Sequence, residues 1–417
     1  MDSDPQTIVV STEQFRGQEA GARRVASDLD EADKALLARA YAAMADVPQA
    51  PGVLSAPDDQ AASLMLTYLA EHAQELGEIH PSPAGGQEAR SFAFDQWDIR
   101  WAKTLLPWLR EKLGIPHRSL RPPLRDAPVQ LPAQAKVALL GDWGTGLYGA
   151  PAVARSIEKQ GDYDALVHLG DVYYSGSESE IQHRFLDLWP QMPSAVSRAC
   201  NSNHEMFSGG EPFFRLTLGE FKQPSTVFSL QNDDWVFAGL DTAYDDHDLD
   251  EGQVDWLNGL VGQLGGRKLV LMSHHQLFST LAGQGPLLRQ RLAHLLDRRA
   301  INTWYWGHEH RCVFYEPHPQ WGLHARCIGH SGFPYFRESI RDLPGGVPLP
   351  GNQRWCTLPA TTTVPEAGIL DGPNEYLGDH PERYGPNGYL RLELDGPRLA
   401  EVLCAADGTV LWRRERE

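Results

Sequence analysis

Five short polar clusters in the sequence contain the residue types that bind metal ions and transfer protons. Their aspartate, asparagine, tyrosine and histidine side chains suit borderline to hard transition metals, and no cysteine thiolate accompanies them. Three of the clusters directly follow apolar runs with the composition of buried strands. In an α/β sheet the loops after the carboxyl ends of strands form the ligand crevice, so these clusters predict one shared site. In chain order they are GDWG (141–144), GDVYY (170–174), NHE (203–205), HH (274–275) and GHEH (307–310).

The number of potential ligands is too large for a single ion. Two ions in a hydrolase are normally separated by about 3.5–4 Å, and one carboxylate can bridge that distance. Asp171 is the candidate for this bridge. Taken singly, each cluster also fits a simpler interpretation, because a Gly-Asp pair after a strand is a common turn and His308 and His310 could pack on one side of a strand. The order of all five clusters favours a metal site.

The five clusters together resemble the signature of the calcineurin-like metallophosphoesterases. The closer resemblance is to purple acid phosphatases, whose pattern reads DxG, GDxxY, GNH(D/E), VxxH and GHxH. The second cluster continues as LGDVYYSG, which is similar to the small tartrate-resistant type of that family. The resemblance covers roughly 133–330 and the terminal strands, whereas residues 1–130 have no counterpart. It implies a four-layer α/β/β/α sandwich with two mixed sheets.

The resemblance also implies a role for each motif residue. Asp171 would bridge two metal ions, and the other six ligands would be Asp142, Tyr174 and His310 for the first ion and Asn203, His274 and His308 for the second. His204 would face the substrate, and Glu205 would orient the ring of His204, as carboxylates behind active-site histidines do.

The sequence departs from the family pattern in three places, of which Leu271, in place of a valine three residues before His274, is a conservative change. Ser202 stands where the family has glycine, so that turn must accommodate a side chain. The family's further histidine after His274 is missing, and Gln284 is the nearest polar replacement. Protonation of the leaving group could then fall to His204, His275 or His330.

The expected reaction is the hydrolysis of a small phosphorylated substrate. A tyrosinate ligand would suit Fe(III) paired with a divalent ion (Fe, Zn or Mn), and two divalent ions are the alternative. Two metals neutralise phosphate oxygens and lower the pKa of bound water from 15.7 to about 7. A phosphomonoesterase is the leading hypothesis. A phosphodiesterase, for example for cyclic nucleotides, and a non-catalytic metal-binding interaction protein are the alternatives.

The composition limits the possible partners. The formal net charge of −18 argues against binding nucleic acid over a broad face. No window is apolar enough to span a membrane, and the first residues, MDSDPQTIVV, lack the basic start of a secretory signal, so a cytoplasmic location is the default expectation. The five cysteines are odd in number and form no CxxC motif, which argues against a disulfide framework. The oligomeric state stays open.

Periodicity and composition divide the chain into segments. Residues 1–30 are expected to be flexible, 31–120 helical, 121–132 a proline-rich linker, and 133–417 an α/β domain with alternating strands and helices. One helical face is predicted from Phe94, Trp97, Trp101, Leu105 and Trp108, and packing is its expected role. The segment 331–387 is rich in proline and glycine and reads as a loop-rich insertion over the site. It carries Arg337 and Arg341, which could bind phosphate together with the nearby His330.

Overall fold

The computed structural model describes residues 7–10, 29–47, 53–54, 56–81, 89–94, 99–114, 123–244, 248–283, 285–338, 340–343, 345–378 and 380–416. The strands are β1 Thr7–Val10, β2 Gly77–Pro81, β3 Ala89–Phe94, β4 Val129–Gln130, β5 Gln134–Leu140, β6 Ala165–His168, β7 Val196–Ala199, β8 Phe228–Gln231, β9 Trp235–Gly239, β10 Lys268–Ser273, β11 Ile301–Trp306, β12 Cys312–Tyr315, β13 His324–Ile328, β14 Val347–Leu349, β15 Gln353–Leu358, β16 Ala367–Asp371, β17 Gly388–Asp395, β18 Arg398–Ala405 and β19 Val410–Arg416.

The α-helices are α1 Glu31–Asp46, α2 Gln60–Glu71, α3 Ala73–Leu76, α4 Ile99–Leu113, α5 Ala150–Gln160, α6 Glu178–Glu180, α7 Asn203–Phe207, α8 Leu218–Glu220, α9 Glu251–Gly262, α10 Pro286–Arg291 and α11 Ala293–Asp297. Wider π turns follow at Ile181–Phe185 and Phe213–Thr217, and 3₁₀ turns lie at Leu186–Leu188 and Pro381–Arg383.

Two sheets pack face to face and carry the predicted sandwich. The smaller has six strands in the order β19-β18-β17-β5-β6-β7, and the larger has ten in the order β14-β15-β16-β12-β13-β11-β10-β9-β8-β4. Strands β5, β6 and β7 run parallel, as do β9, β10 and β11, whereas the terminal strands pair antiparallel. Both sheets are therefore mixed, as the resemblance implies.

Alternation along the central strands explains why four layers form. Side chains of successive strand residues point to opposite faces. In β5, Val137 packs into the core between the sheets, while its neighbour Ala138 packs into the outer core that includes α5. In β10, Val270 faces the inner core and Leu271 faces the outer core that includes α9, α10 and α11. Helices thus cover the outer face of each sheet.

A buried ion pair links the two sheets through this inner core. Glu401 of β18 accepts a hydrogen bond from the Tyr305 hydroxyl of β11 at 2.8 Å and pairs with Arg326 of β13 at 3.2 Å. Arg416 of β19 reaches the same carboxylate at 2.8 Å. Glu401 and Arg326 are almost fully buried, so the buried carboxylate is compensated by Arg326 and Arg416 and not by water.

The N-terminal region differs from the expectation in part. Thr7–Val10, within the segment expected to be flexible, forms a strand parallel to β3, and Val9 and Val10 are fully buried. The helices α1, α2 and α4 agree with the predicted helical region, but β2 and β3 interrupt it. Phe94 ends β3, so it cannot belong to the predicted helical face. Trp97 lies outside the described residues.

The rest of that helical face is confirmed as a packing surface where its side chains are described. Leu105 is fully buried, and Trp108 lies 5.5 Å from Tyr68 between ring centroids. The core that contains Leu105 also takes in Tyr148 and Tyr174 of the α/β domain. The N-terminal elements therefore pack directly against the loops of that domain.

Two segments predicted as irregular contain strands. Val129–Gln130, in the expected linker, pairs with β8 at the edge of the larger sheet. The segment 331–387 contributes β14, β15 and β16, which extend the same sheet. Short strands among prolines and glycines give a weak periodic signal, which is why the composition favoured loops.

All five cysteines are buried and free, so the prediction that they form no disulfide framework is confirmed. Among the described residues, none of the helices is long and apolar enough to cross a membrane.

Candidate metal centre

The five polar clusters come together at the carboxyl ends of parallel strands. Asp142 follows β5, Asp171 follows β6, and Asn203 lies just beyond β7 at the start of α7. On the larger sheet, His274 follows β10 and His308 follows β11. Since the two sheets face each other, these loops meet at one edge of the sandwich, as the strand-end argument predicts.

One group of potential metal ligands consists of Asp142, Asp171 and His310, whose ligand atoms all lie within 4.8 Å of one another. The Tyr173 hydroxyl lies among them, 3.1 Å from Asp142 Oδ1, 2.7 Å from Asp171 Oδ2 and 2.9 Å from His310 Nε2. Two carboxylates, an imidazole and a phenol facing one point form a donor set for a hard to borderline cation.

A second group consists of His274, His275 and His308, whose ring nitrogens also lie within 4.8 Å of one another. His274 Nε2 is 3.2 Å from His308 Nδ1. The backbone carbonyl of Leu169 lies 2.9 Å from His274 Nδ1 and so accepts its proton. This contact leaves Nε2 of His274 as the atom that can bind a metal.

Asp171 connects the two groups. Its Oδ2 faces Tyr173 and His310, while its Oδ1 lies 3.2 Å from His274 Nε2. The His274 contact lacks hydrogen-bond geometry, and Oδ1 is buried with no hydrogen-bond partner among the described residues. A buried carboxylate oxygen left in this way needs a compensating group, and a cation between the two sets of donors would supply it.

The backbone at the centre is strained in a way that fits a binding site. Asp142, Asp171, His308 and His310 have φ of 55°, 81°, 68° and 53°, in the left-handed region that side chains other than glycine rarely adopt. Such residues cluster at functional sites, where surrounding structure holds them. Gly170 allows the close approach of His274, because a Cβ at this glycine would lie 2.6 Å from His274 Nδ1.

The charges at the centre favour a cation. Burial and the neighbouring carboxylate of Asp171 raise the pKa of Asp142 well above its usual value. Burial also acts to raise the pKa of Asp171, but His274 and His204 hold it well below its usual value. A cation that binds both carboxylates would favour their ionised forms.

The structure corrects the prediction for the tyrosine. Tyr173, not Tyr174, places its hydroxyl at the carboxylates. The Tyr174 hydroxyl instead accepts a hydrogen bond from the backbone N–H of Val10 at 2.9 Å, and its ring lies 5.0 Å from the Arg184 guanidinium carbon. Both tyrosines lie in a turn after β6 and not in a regular strand, so the D-x-x-Y spacing does not determine which side chain reaches the site.

His204 lies beside the centre, with its Nε2 4.0 Å from Asp171 Oδ2. The backbone carbonyl of Tyr174, at 2.6 Å, can only accept, so Nδ1 of His204 carries a proton and Nε2 faces the carboxylates. Glu205 does not orient this ring as predicted. Its carboxylate accepts from the Val172 N–H at 3.2 Å and makes a short hydrogen bond with the Ser202 hydroxyl, and so supports the loop.

Asn203, the predicted amide ligand, is 4% exposed and has a buried Oδ1 with no hydrogen-bond partner among the described residues. Ser202, the residue that replaces the family's glycine, has φ −138° and caps α7 by accepting the Glu205 N–H. The turn therefore accommodates a side chain in ordinary extended geometry.

His275, another predicted catalytic residue, has its Nδ1 2.9 Å from the Thr242 hydroxyl.

Among the predicted substrate-binding residues, Arg337 and Arg341 are engaged elsewhere, and His330 is buried. Arg337 forms a bidentate pair with Asp371, at 2.6 and 3.1 Å, so its guanidinium is not available to phosphate. The backbone carbonyl of Arg341 accepts from Arg354 on β15, four strand spacings or about 19 Å across the sheet from β11. The His330 ring is fully buried, and burial lowers its pKa to about 3. Gln284 lies outside the described residues.

The segment 331–387 nevertheless reaches the centre through Phe333. The Phe333 ring stacks on His310 with centroids 3.9 Å apart and lies 4.7 Å from the Tyr173 ring. The segment therefore contacts the proposed ligands through an aromatic side chain and not through the arginines. An apolar wall beside the carboxylates lowers the local dielectric and strengthens their attraction for a cation.

Comparison with known proteins finds a family that part of the chain resembles. Residues 135–312 match the family model of the calcineurin-like phosphoesterases. No curated protein sequence matches the chain.

Solved structures with a similar chain fold include a purple acid phosphatase, PPD1, from yellow lupin (Lupinus luteus) seeds. It has 17% identity and a TM-score of 0.49, with 68% of this chain and 54% of the lupin chain covered, so this chain spans about half the length of that relative. GAP50, described as the anchor in the inner membrane complex of Plasmodium, has 12% identity and a TM-score of 0.46, covering 67% of this chain and 88% of GAP50. PhoD has 10% identity and a TM-score of 0.40, covering 70% of each chain.

Proposed function

We propose that this protein hydrolyses phosphate esters with two metal ions and that its substrate is a small phosphomonoester, as in purple acid phosphatases. The observation that carries the proposal is the position of Asp171. Its two carboxylate oxygens face two separate groups of ligand atoms, one around Asp142 and His310 and one around His274 and His308. A carboxylate between two ligand groups can bind one ion with each oxygen, which fits two ions about 3.5–4 Å apart.

The residues fit this assignment by type as well as by position. Asp142, Asp171, His310 and Tyr173 would hold the first ion, and Asp171, His274, His308 and the Oδ1 of Asn203 would hold the second. His275, which lies in the same group as His274 and His308, is a further candidate for the second ion. Two bound ions would supply Lewis-acid polarisation of the phosphoryl oxygens and activation of the attacking water.

His204 is the residue proposed to handle the proton of the leaving group. The Tyr174 carbonyl fixes its Nδ1–H, so Nε2 is the atom that would donate a proton to the departing oxygen. The ring is held between Tyr173 and Phe207, with centroid distances of 4.7 and 4.9 Å. This packing keeps Nε2 directed at the carboxylates, where the substrate phosphate would lie.

Tyr173 is the residue on which the choice of metals depends. Burial and the charges of Asp142 and Asp171 raise the pKa of the Tyr173 phenol well above its usual value. A strongly polarising ion is needed to remove such a proton, which favours Fe(III) with a divalent Fe, Zn or Mn partner if the phenol becomes a ligand. Two divalent ions with a protonated Tyr173 are the alternative.

One observation favours a phosphodiesterase as a second candidate. A monoester carries more negative charge than a diester, and the arginine expected to help neutralise it, Arg337, is paired with Asp371. A diester would need less positive charge from the protein.

A kinetic comparison separates the two candidates. We expect the wild-type protein, after reconstitution with metal, to have a larger kcat/KM for p-nitrophenyl phosphate than for bis-p-nitrophenyl phosphate. The Asp171→Asn variant serves as the metal-deficient control and should lose both activities. The reverse preference would assign the protein to the phosphodiesterases. Failure of the wild-type protein to hydrolyse either ester, with two metals bound, would contradict the proposed reaction class.

A further inference from the structure

The amide of Asn203 is held at one end by a residue from the N-terminal region. Its Nδ2 donates a hydrogen bond to Oδ1 of Asp58 at 2.8 Å, a contact between residues 145 positions apart in the chain. Asn203 is 4% exposed, and its Oδ1 is buried without a hydrogen-bond partner in the described part of the chain. The NH₂ end of the amide is thus held by Asp58, while the oxygen end has no hydrogen-bond partner in the described part of the chain.

The chemistry of the two ends determines which way the amide points. An ionised carboxylate can only accept hydrogen bonds, so it selects the NH₂ end of an asparagine and turns the carbonyl oxygen away. Only that oxygen can ligate a metal ion. If the amide rotated by half a turn, its oxygen would face the Asp58 carboxylate and its NH₂ group would face the position of the cation.

The segment that carries Asp58 is anchored on both sides. The Leu54 N–H donates to the Tyr148 hydroxyl at 2.7 Å, and the Gln60 amide donates to the Phe207 carbonyl at 2.9 Å. The Pro57 carbonyl accepts from the Ser63 hydroxyl at 2.8 Å, which ties the residue before Asp58 to α2. These contacts hold Asp58 at the edge of the centre, although its side chain is exposed.

We infer that Asp58 is a positioning residue that orients the Asn203 amide so that Oδ1 binds the second metal ion. The N-terminal region thereby contributes to the metal centre without supplying a ligand. This inference rests on the proposed two-metal function and adds a role for a region outside the phosphoesterase family match. A partner that orients a metal ligand in this way affects metal affinity by about 10- to 100-fold.

Four single variants and one double variant test the orientation directly by metal binding. Asp58→Ala removes the acceptor, whereas Asp58→Asn removes the charge but keeps a carbonyl that accepts the same hydrogen bond. Asp59→Asn is the matched control, because Asp59 lies next to Asp58 but pairs with Arg39 and caps α2, and an asparagine keeps the cap. Asn203→Ala removes the proposed ligand itself.

The measurement is calorimetric titration of the metal-free proteins with Mn²⁺, with circular dichroism to verify that each variant is folded. We expect Asp58→Ala to bind the second Mn²⁺ about 10- to 100-fold more weakly than the wild type. Asp58→Asn should stay within about threefold of the wild type, because the hydrogen bond survives. Asp59→Asn should bind as the wild type does. In the Asn203→Ala background, Asp58→Ala should have no further effect, since the group that it orients is gone.

Each other result has a definite meaning. If the wild type binds two ions and Asp58→Ala binds them equally well, the orienting role is refuted while the proposed function stands. If Asp58→Asn is as weak as Asp58→Ala, or if Asp59→Asn also weakens binding, negative charge and not orientation is responsible, and the inference is wrong. A wild-type protein that binds fewer than two ions contradicts the proposed function itself.

Discussion

The adjacent tyrosines allow a sharp test of how the centre is built. Tyr173→Phe and Tyr174→Phe each remove one buried hydroxyl oxygen, and they differ by a single position in the chain. The Tyr173 hydroxyl lies within 3.1 Å of Asp142, Asp171 and His310. The Tyr174 hydroxyl instead accepts a hydrogen bond from the Val10 N–H at 2.9 Å. The two variants should therefore fail in different ways.

The expected magnitudes follow from these contacts. Tyr173→Phe removes a group that touches three proposed metal ligands, so we expect metal affinity to fall by at least about 10- to 100-fold. Tyr174→Phe leaves the N–H of Val10, which is fully buried, without its acceptor, at a cost of about 1–3 kcal/mol in stability. Its metal affinity should equal that of the wild type, because its hydroxyl does not lie at the carboxylates.

The assay combines elemental analysis, the visible spectrum of the oxidised iron-loaded protein and urea denaturation. If the first ion is Fe(III), the wild type and Tyr174→Phe should be purple from phenolate-to-iron charge transfer, and Tyr173→Phe should be colourless. Urea should unfold Tyr174→Phe at a lower concentration than the wild type. A Tyr174→Phe protein that loses metal or colour while Tyr173→Phe keeps both would refute the placement of the tyrosines and restore the D-x-x-Y assignment.

Three further predictions concern single side chains. His204→Ala should keep its metal content but lose about 10²-fold or more in kcat on p-nitrophenyl phosphate. The reason is that Nε2 of His204 is proposed to transfer a proton and not to bind metal. Loss of one ion in this variant would contradict that role. Arg326→Met should destabilise the fold by about 1.5–3 kcal/mol in urea denaturation, because it removes one of the two arginines that pair with the buried Glu401 and leaves only Arg416; an unchanged denaturation midpoint would show that Arg416 alone compensates the carboxylate. Burial acts to raise the pKa of Glu401, but Arg326 and Arg416 hold this pKa below its usual value. The ionised carboxylate therefore stabilises the fold at neutral pH. This contribution is lost as the pH falls through the lowered pKa. Glu401→Gln should therefore show a smaller drop in Tm between about pH 6 and pH 3 than the wild type, and an equal drop would contradict this linkage.

The sequence predicted the central strands and the edge at which the site lies because both depend on local signals. The apolar runs at 137–140, 165–167 and 268–272 each lie inside an observed strand. Polar clusters after such runs must lie at strand ends, so their convergence followed from the topology of a parallel sheet. The structure brings Asp142, Asp171, His274, His308 and His310 together in this way.

The remaining features depend on contacts between distant parts of the chain. The choice of Tyr173 over Tyr174 depends on where Val10 and Arg184 lie, and motif spacing does not contain that information. Arg337 was a reasonable phosphate ligand by type, but Asp371, far along the chain, pairs with it. Asp58 could not be recognised beforehand, since no motif surrounds it and only the folded chain places it beside Asn203.

The central claim is that Asp171 bridges two metal ions, and anomalous diffraction from Mn²⁺-loaded crystals tests it most directly. We predict two anomalous peaks about 3.5–4 Å apart. One peak should lie beside Asp142, Tyr173 and His310 and the other beside His274 and His308, with one oxygen of Asp171 directed at each or shared between them. A single peak at full occupancy, or two peaks without Asp171 between them, would contradict the account.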